Sequence, residues 1–236
     1  MLQAVIFDLD GVLCSTDEYH FRAWSRLAYE LHLPFDREKN RRLRGIGRMD
    51  ALDILLEDSG VAYTAEQKSV LARRKNDYYV EQLHRLTPDD VFPGVTETLQ
   101  ALREQSVKIA VGSSSKNAKI VLDRLQLTPF FDAVADGADN VRSKPMPDVF
   151  LCAARKLGVT PALCAVLEDA AAGIEAANRA GMFAVAYGPD AAAHPMANAA
   201  VTEHRQIVDL IETWGELPEG KKSQRDEATA RAVRRL

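Results

Sequence analysis

Five times between residues 4 and 187 the chain returns to a short, nearly unbroken apolar run closed by Gly, Asp or Ser: residues 4–9, 107–112, 133–135, 164–167 and 183–187. Strands covered by helices on both faces are apolar throughout rather than alternating, so these runs read as buried parallel strands. Between them lie helix-length stretches with 3.6-residue apolar spacing, at 95–104, 118–125, 147–157 and 170–180. Strand and helix in alternation predict an α/β fold built on an open parallel sheet. The stretch 15–90 interrupts that rhythm with amphipathic helical spacing and no convincing strand. It reads as a helical insert after the first strand, with a core made of residues 1–14 and 91–216. Turn-forming residues near 14–17 and 88–93 mark two hinges, which would let the insert move as a lid. The last stretch, 217–236, is rich in Lys, Arg, Glu and Gln and reads as a charged, disordered tail.

Composition narrows the partners. A formal charge of −4 and a pI near 5.8 give no positive field for nucleic acid or a lipid surface. The C-terminal Lys and Arg are interspersed with acids and lack aromatic neighbours, which also argues against nucleic acid. Cys14, Cys152 and Cys164 are odd in number and show no CxxC spacing, against both a disulfide framework and a zinc site. The first apolar run is too short and lacks the basic flank of a signal peptide, and no long apolar span follows. A cytoplasmic monomer that binds small molecules is expected.

The first strand runs into Phe7-Asp8-Leu9-Asp10-Gly11-Val12. Period-two alternation would put Asp8 and Asp10 on one side, and Gly11 permits a sharp exit. Both acids then sit at the carboxyl end of the strand, where open α/β sheets bind ligands. Alone, the pair could be turn formers. Phosphoryl transfer is the chemistry that suits them: Asp8 as nucleophile, Asp10 as the group that gives a proton to the leaving oxygen and takes one from the incoming hydroxyl. Such an attack requires the phosphate's charge to be neutralised, and the rest of the chain supplies the means. Gly112-Ser113-Ser114-Ser115-Lys116-Asn117 offers hydroxyls and N–H groups after the second strand, and Lys144 stands in the Pro-bracketed Arg142-Ser143-Lys144-Pro145. Glu168 and Asp169 end the fourth strand, where with Asp8 they would suit Mg²⁺, a cation that prefers hard oxygen ligands.

Taken in order, Asp8-x-Asp10, Ser113, Lys144 and Glu168-Asp169 resemble the signature motifs of the haloacid dehalogenase superfamily. Four parts of the chain are similar to its sugar-phosphate mutase branch: residues 18–24 (Glu-Tyr-His-Phe-Arg-Ala-Trp), 44–48 (Arg-Gly-Ile-Gly-Arg), 74–77 (Arg-Lys-Asn-Asp) and Ser115-Lys116-Asn117. The resemblance implies a Rossmann-like parallel-sheet core with a small helical cap. It implies Asp8 as the phosphorylated residue and Asp10 as acid and base. Mg²⁺ would lie on Asp8, the Asp10 backbone carbonyl and Asp169, with Glu168 supporting the metal's surroundings. Ser113 and Ser114 would bind the transferring phosphoryl group, and Lys144 would neutralise it. Arg48, Ser115, Lys116 and Asn117 would grip the distal phosphate, Gly45 and Ile46 would line the sugar face, and His20 and Lys75 would help position Asp10 on closure. The implied reaction interconverts β-glucose 1-phosphate and glucose 6-phosphate through β-glucose 1,6-bisphosphate. A sugar-phosphate phosphatase is the alternative, and a non-catalytic phosphosugar-binding protein a more distant one. Ser15, Asp17 and Ala170 depart from the family pattern beside the site.

Overall fold

The computed structural model describes residues 2–43, 46–139 and 142–213. Gly45 and the charged tail 217–236 lie outside the described residues. Six strands form one sheet: β1 (Ala4–Phe7), β2 (Lys108–Gly112), β3 (Ala133–Ala135), β4 (Cys164–Glu168), β5 (Phe183–Tyr187) and β6 (Ala199–Val201). The order is β3-β2-β1-β4-β5-β6 and every pairing is parallel. β1 is central, with Ile6 in register with Ala110 on one side and Val166 on the other. The connections run outward in one direction to β3 and in the other to β6, so the order reverses between β1 and β4. At such a switch point the loops part and leave a crevice beyond the strand ends.

The continuous apolar runs have the expected cause. Val5 and Phe7 of β1 face one buried cluster, while Ala4 and Ile6 face another, so neither side of the strand meets water. Helices α5 (Val95–Glu104) and α6 (Ala118–Arg124) contribute to the first cluster, with α10 (Gln206–Glu212). The second takes in α7 (Asp148–Leu157) and α8 (Ala171–Arg179). The short α9 (Pro189–Ala192) precedes β6. Between β1 and α5 lie α1 (Asp17–Glu30), α2 (Arg37–Arg41), α3 (Arg48–Leu56) and α4 (Ala65–Leu83). These build a separate core around Trp24, Leu27, Leu52 and Leu55. α4 starts on a capping box: Thr64 Oγ1 accepts from the Gln67 N–H at 3.3 Å, and Gln67 Oε1 accepts from the Thr64 N–H at 2.9 Å.

The two chain segments that join this helical part to the sheet run side by side. The Phe92 N–H donates to Leu13 C=O at 3.0 Å, and Cys14 and Val91 are bridged antiparallel. β1 stops at Phe7, two residues short of the apolar run, so strand alternation does not reach Asp10. Asp8 lies just past the strand, its N–H donating to Leu167 C=O at 3.0 Å, and Asp10 lies in the loop that Gly11 turns with φ of 89°. β6, α9 and α10 add to the predicted elements. All three cysteines are buried and free. No described helix is long and apolar enough to cross a membrane.

Candidate active site

The crevice beyond β1 and β4 holds a buried charge cluster. Lys144 Nζ donates to Asp8 Oδ1 at 2.5 Å and to Glu168 Oε1 at 2.6 Å. The three residues are 3%, 7% and 1% exposed, so these bonds form in a low-dielectric setting and leave little freedom to any partner. Burial would push the Lys144 ammonium down, but Asp8 and Glu168 outweigh it and hold it above the usual lysine range. The lysine is therefore charged. Glu168 Oε2 accepts the Ala170 N–H at 2.8 Å, and a Cβ at Gly173 would lie 1.8 Å from Glu168 Oε1. The first turn of α8 thus has to carry glycine for the carboxylate to reach Lys144.

Asp8, Glu168 and Asp169 present carboxylate oxygens all within 4.8 Å of one another. Three carboxylates face one ammonium, so negative charge is in surplus by two. An oxygen-only donor set with that surplus fits a hard divalent cation. Both Glu168 oxygens are already engaged, one by Lys144 and one by the Ala170 N–H. A Cβ at Gly11 would fall 2.0 Å from Asp169 Oδ2, so the loop after β1 comes this close to Asp169 only as glycine.

Asp10 is half-buried and is held by Thr16, whose hydroxyl donates to Asp10 Oδ1 and whose backbone N–H also donates to the carboxylate. Burial, with the charge of Asp8 adding to it, pushes the Asp10 carboxyl up to about 6. A group there exchanges protons near neutral pH.

The serine loop after β2 orders itself from within. Ser113 Oγ accepts the Ser115 N–H at 3.1 Å, and Ser115 Oγ accepts the Asn117 N–H at 3.2 Å. Two N–H groups expected from the sequence to face an anion are thereby used, and α6 has only seven residues. The Ser114 hydroxyl, by contrast, is buried without a hydrogen-bond partner among the described residues. An unmet buried hydroxyl costs about 1–3 kcal/mol, which marks Ser114 as a donor waiting for a ligand.

The helical part forms the opposite wall. Arg48 Nη2 and Asn117 Nδ2 both donate to Asn76 Oδ1, at 2.7 and 2.8 Å. One amide oxygen therefore ties α3 and α4 to the sheet. Gly47 is seated on the loop before Lys144: a Cβ there would meet Ser143 Oγ at 1.9 Å. Lys75 Nζ lies 2.7 Å from His20 Nδ1 and 4.6 Å from the Trp24 ring, and His20 stacks on Tyr79 at 4.0 Å. Burial, then the charge of Arg48, holds Lys75 well below the usual lysine range. Burial, then Lys75, does the same to His20.

One cavity of about 1090 Å³ is lined by Asp8, Asp10, His20, Ile46, Arg48, Lys75, Ser113, Ser114, Ser115, Lys116, Asn117, Lys144, Glu168 and Asp169. These are all the sequence-predicted site residues that the structure describes. Asp10 shares the cavity, but its carboxylate is not in the acidic group beside Lys144. Thr16, Asn76 and Tyr79 were not among the predicted site residues. Asn76 lies in the 74–77 segment that carries part of the resemblance, whereas for Thr16 and Tyr79 only the folded geometry reveals a place beside the site.

The match to the haloacid dehalogenase-like hydrolase model spans residues 2–181, and the chain belongs to that family. Among curated proteins it is 44% identical over 211 residues to a β-phosphoglucomutase of Bacillus subtilis, covering 89% of this chain and 92% of that one. It is 32% identical to a phosphorylated carbohydrates phosphatase of Thermotoga maritima, over 77% of this chain and 82% of that one. Among solved structures, a β-phosphoglucomutase of Clostridium difficile superimposes with a TM-score of 0.83 at 36% identity, covering 96% and 98% of the two chains.

Proposed function

We propose that the chain interconverts β-glucose 1-phosphate and glucose 6-phosphate through β-glucose 1,6-bisphosphate, with Asp8 carrying the phosphoryl group. The observation that carries this reading is that one cavity is lined by two sets of groups suited to phosphate: Ser114 and Lys144 beside Asp8, and Arg48 of the helical part with Asn117 of the sheet side, joined through Asn76. A plain phosphatase needs only the first. A mutase must hold a bisphosphate by either end while one phosphoryl group shuttles. The 44% identity to a β-phosphoglucomutase points the same way.

In the first half-reaction, Asp10 accepts the proton of the glucose 1-phosphate 6-hydroxyl while that oxygen attacks the phosphorus on Asp8. The Asp8–phosphorus bond breaks and the bisphosphate is released. In the second, the bisphosphate is held the other way round. Asp8 attacks the 1-phosphate, the bond from phosphorus to the sugar oxygen breaks, and Asp10 returns its proton to that oxygen. Lys144 holds Asp8 in place and offsets phosphate charge, Ser113 and Ser114 face the transferring group, and Ser115, Lys116, Asn117 and Arg48 take the distal phosphate. Asp8, Asp169 and the Asp10 backbone carbonyl would hold Mg²⁺, with Glu168 supporting from outside; bound there, the ion would lower the repulsion between carboxylate and phosphate. Residues 15–90 would act as a lid over residues 1–14 and 91–216, hinged on the paired segments at Leu13 and Phe92. Ile46 would face the sugar, and His20 and Lys75 would close on the Asp10 side. The lid's task is to keep water from the aspartyl phosphate.

The test is incubation with Mg²⁺, β-glucose 1-phosphate and a trace of β-glucose 1,6-bisphosphate, following glucose 6-phosphate and free phosphate together. Glucose 6-phosphate with little free phosphate is expected. Free phosphate as the main product would make the chain a phosphatase, as in the Thermotoga relative.

A further inference from the structure

We infer that Tyr79 is a positioning residue which, acting through Thr16, fixes the oxygen of Asp10 that exchanges a proton with the sugar. The inference deepens the reading above and rests on it.

Tyr79 lies on α4, is 1% exposed and nevertheless carries a hydroxyl. That hydroxyl has one hydrogen-bond partner among the described residues, Thr16 Oγ1 at 3.1 Å. Thr16 is fully buried and in turn contacts Asp10 Oδ1. A threonine hydroxyl has a single proton, and an ionised carboxylate can only accept. Thr16 commits its proton to Asp10, so toward Tyr79 it can only accept, and the Tyr79 proton points at Thr16. The chain runs in one direction: Tyr79 to Thr16 to Asp10 Oδ1.

The alternative arrangement has a defined cost. A proton on Asp10 Oδ1 would have to be donated to Thr16, whose own proton would then turn to the Tyr79 oxygen. The Tyr79 proton would be left in a buried aromatic setting with no second acceptor, and an orphaned buried donor is strongly disfavoured. With Tyr79 in place, Oδ1 stays an acceptor, and Oδ2 is left as the oxygen that gives and takes the sugar's proton. Without its hydroxyl, both arrangements become accessible, and one of them aims the proton away from the substrate.

The same ring stacks on His20 at 4.0 Å with planes 26° apart and lies 4.9 Å beneath Lys75 Nζ. Tyr79 and Thr16 both belong to the helical part, whereas Asp10 belongs to the loop after β1. The hydrogen-bonded chain therefore exists only with that part seated as seen here, and it links seating to the orientation of the acid.

Tyr79→Phe keeps the ring and its stacking and removes only the hydroxyl. The expected result is a kcat about tenfold lower with KM changed less than twofold, a part of the roughly 10²- to 10⁴-fold that a positioned acid and base contributes. Thr16→Val breaks the link one step closer to Asp10, so Thr16→Val/Tyr79→Phe is expected to be no slower than Thr16→Val alone. Each ratio is read on whichever product the unmodified enzyme forms. Free phosphate in place of glucose 6-phosphate would overturn the mutase reading and leave the Tyr79 comparison intact. A Tyr79→Phe enzyme with unchanged kcat, a loss carried by KM alone, or a double variant showing the product of the two single losses would overturn the inference.

Discussion

The two walls of the cavity carry cations in opposite settings. On the sheet side, Lys144 is paired with two buried carboxylates and locked between them. On the helical side, Arg48 and Lys75 make no ion pair among the described residues; their partners are an amide oxygen, an imidazole nitrogen and aromatic rings. Burial pulls both of those cations toward their neutral forms, whereas Lys144 is held charged. The cation of the sheet wall is thus matched by carboxylates before anything binds, and the cations of the helical wall meet an opposite charge only when an anion arrives. A fixed half that holds the nucleophile and a seated half whose charges need the substrate is what a ligand-gated lid requires.

The comparison is broken most severely at the nucleophile. Asp8→Asn keeps the size and shape of the side chain and removes the attacking oxygen, so turnover should fall by about 10⁴-fold or more. Glucose 6-phosphate formation measures it, and a variant within tenfold of the original would remove Asp8 from its proposed role.

Lys144→Ala and Arg48→Ala set the two walls against each other. Without Lys144, Asp8 and Glu168 remain buried and uncompensated, and urea unfolding should show a loss of about 3–5 kcal/mol. Arg48→Ala strands no carboxylate, so stability should fall by no more than about 1 kcal/mol, the worth of its hydrogen bond to Asn76. Instead kcat/KM should drop about 10- to 150-fold, the worth of one charge-assisted bond of about 1.5–3 kcal/mol to phosphate. If the two variants lost similar stability, the contrast between the walls would be wrong.

How much of this was legible in the sequence follows from burial. β1 to β5 announce themselves because strands covered on both faces are apolar without interruption. β6 does not: Ala199-Ala200-Val201 lies in a polar stretch at the sheet edge and is too short to show a pattern. α10 does not stand out either, although Ile207, Val208 and Ile211 have helical spacing, since its charged neighbours blend into the tail. Site residues carried in compact polar motifs, such as Asp8 and Lys144, were equally visible. Thr16, Asn76 and Tyr79 work through partners 6, 28, 41 and 63 positions away, a juxtaposition that only the folded chain creates. β1 also ends sooner than its apolar run suggests: Asp8 still donates its N–H to Leu167 C=O, and the chain then leaves the sheet for the turn at Gly11.

The smallest expected effect is in the pH dependence, and it separates the two duties of Asp10. Its carboxyl is raised from the ordinary value to about 6, chiefly by burial. Attack of glucose 1-phosphate on the phosphorylated enzyme needs Asp10 deprotonated, so kcat/KM for that step should fall about tenfold per unit as pH drops below this value. Reaction of the bisphosphate with the unphosphorylated enzyme needs Asp10 protonated, and its kcat/KM should fall by the same factor as pH rises above it. Opposite limbs measured on one enzyme would show a single carboxyl serving both half-reactions. Two profiles bending the same way would assign the second duty to another group, and on the helical wall His20 and Lys75 form a titratable pair lining the same cavity.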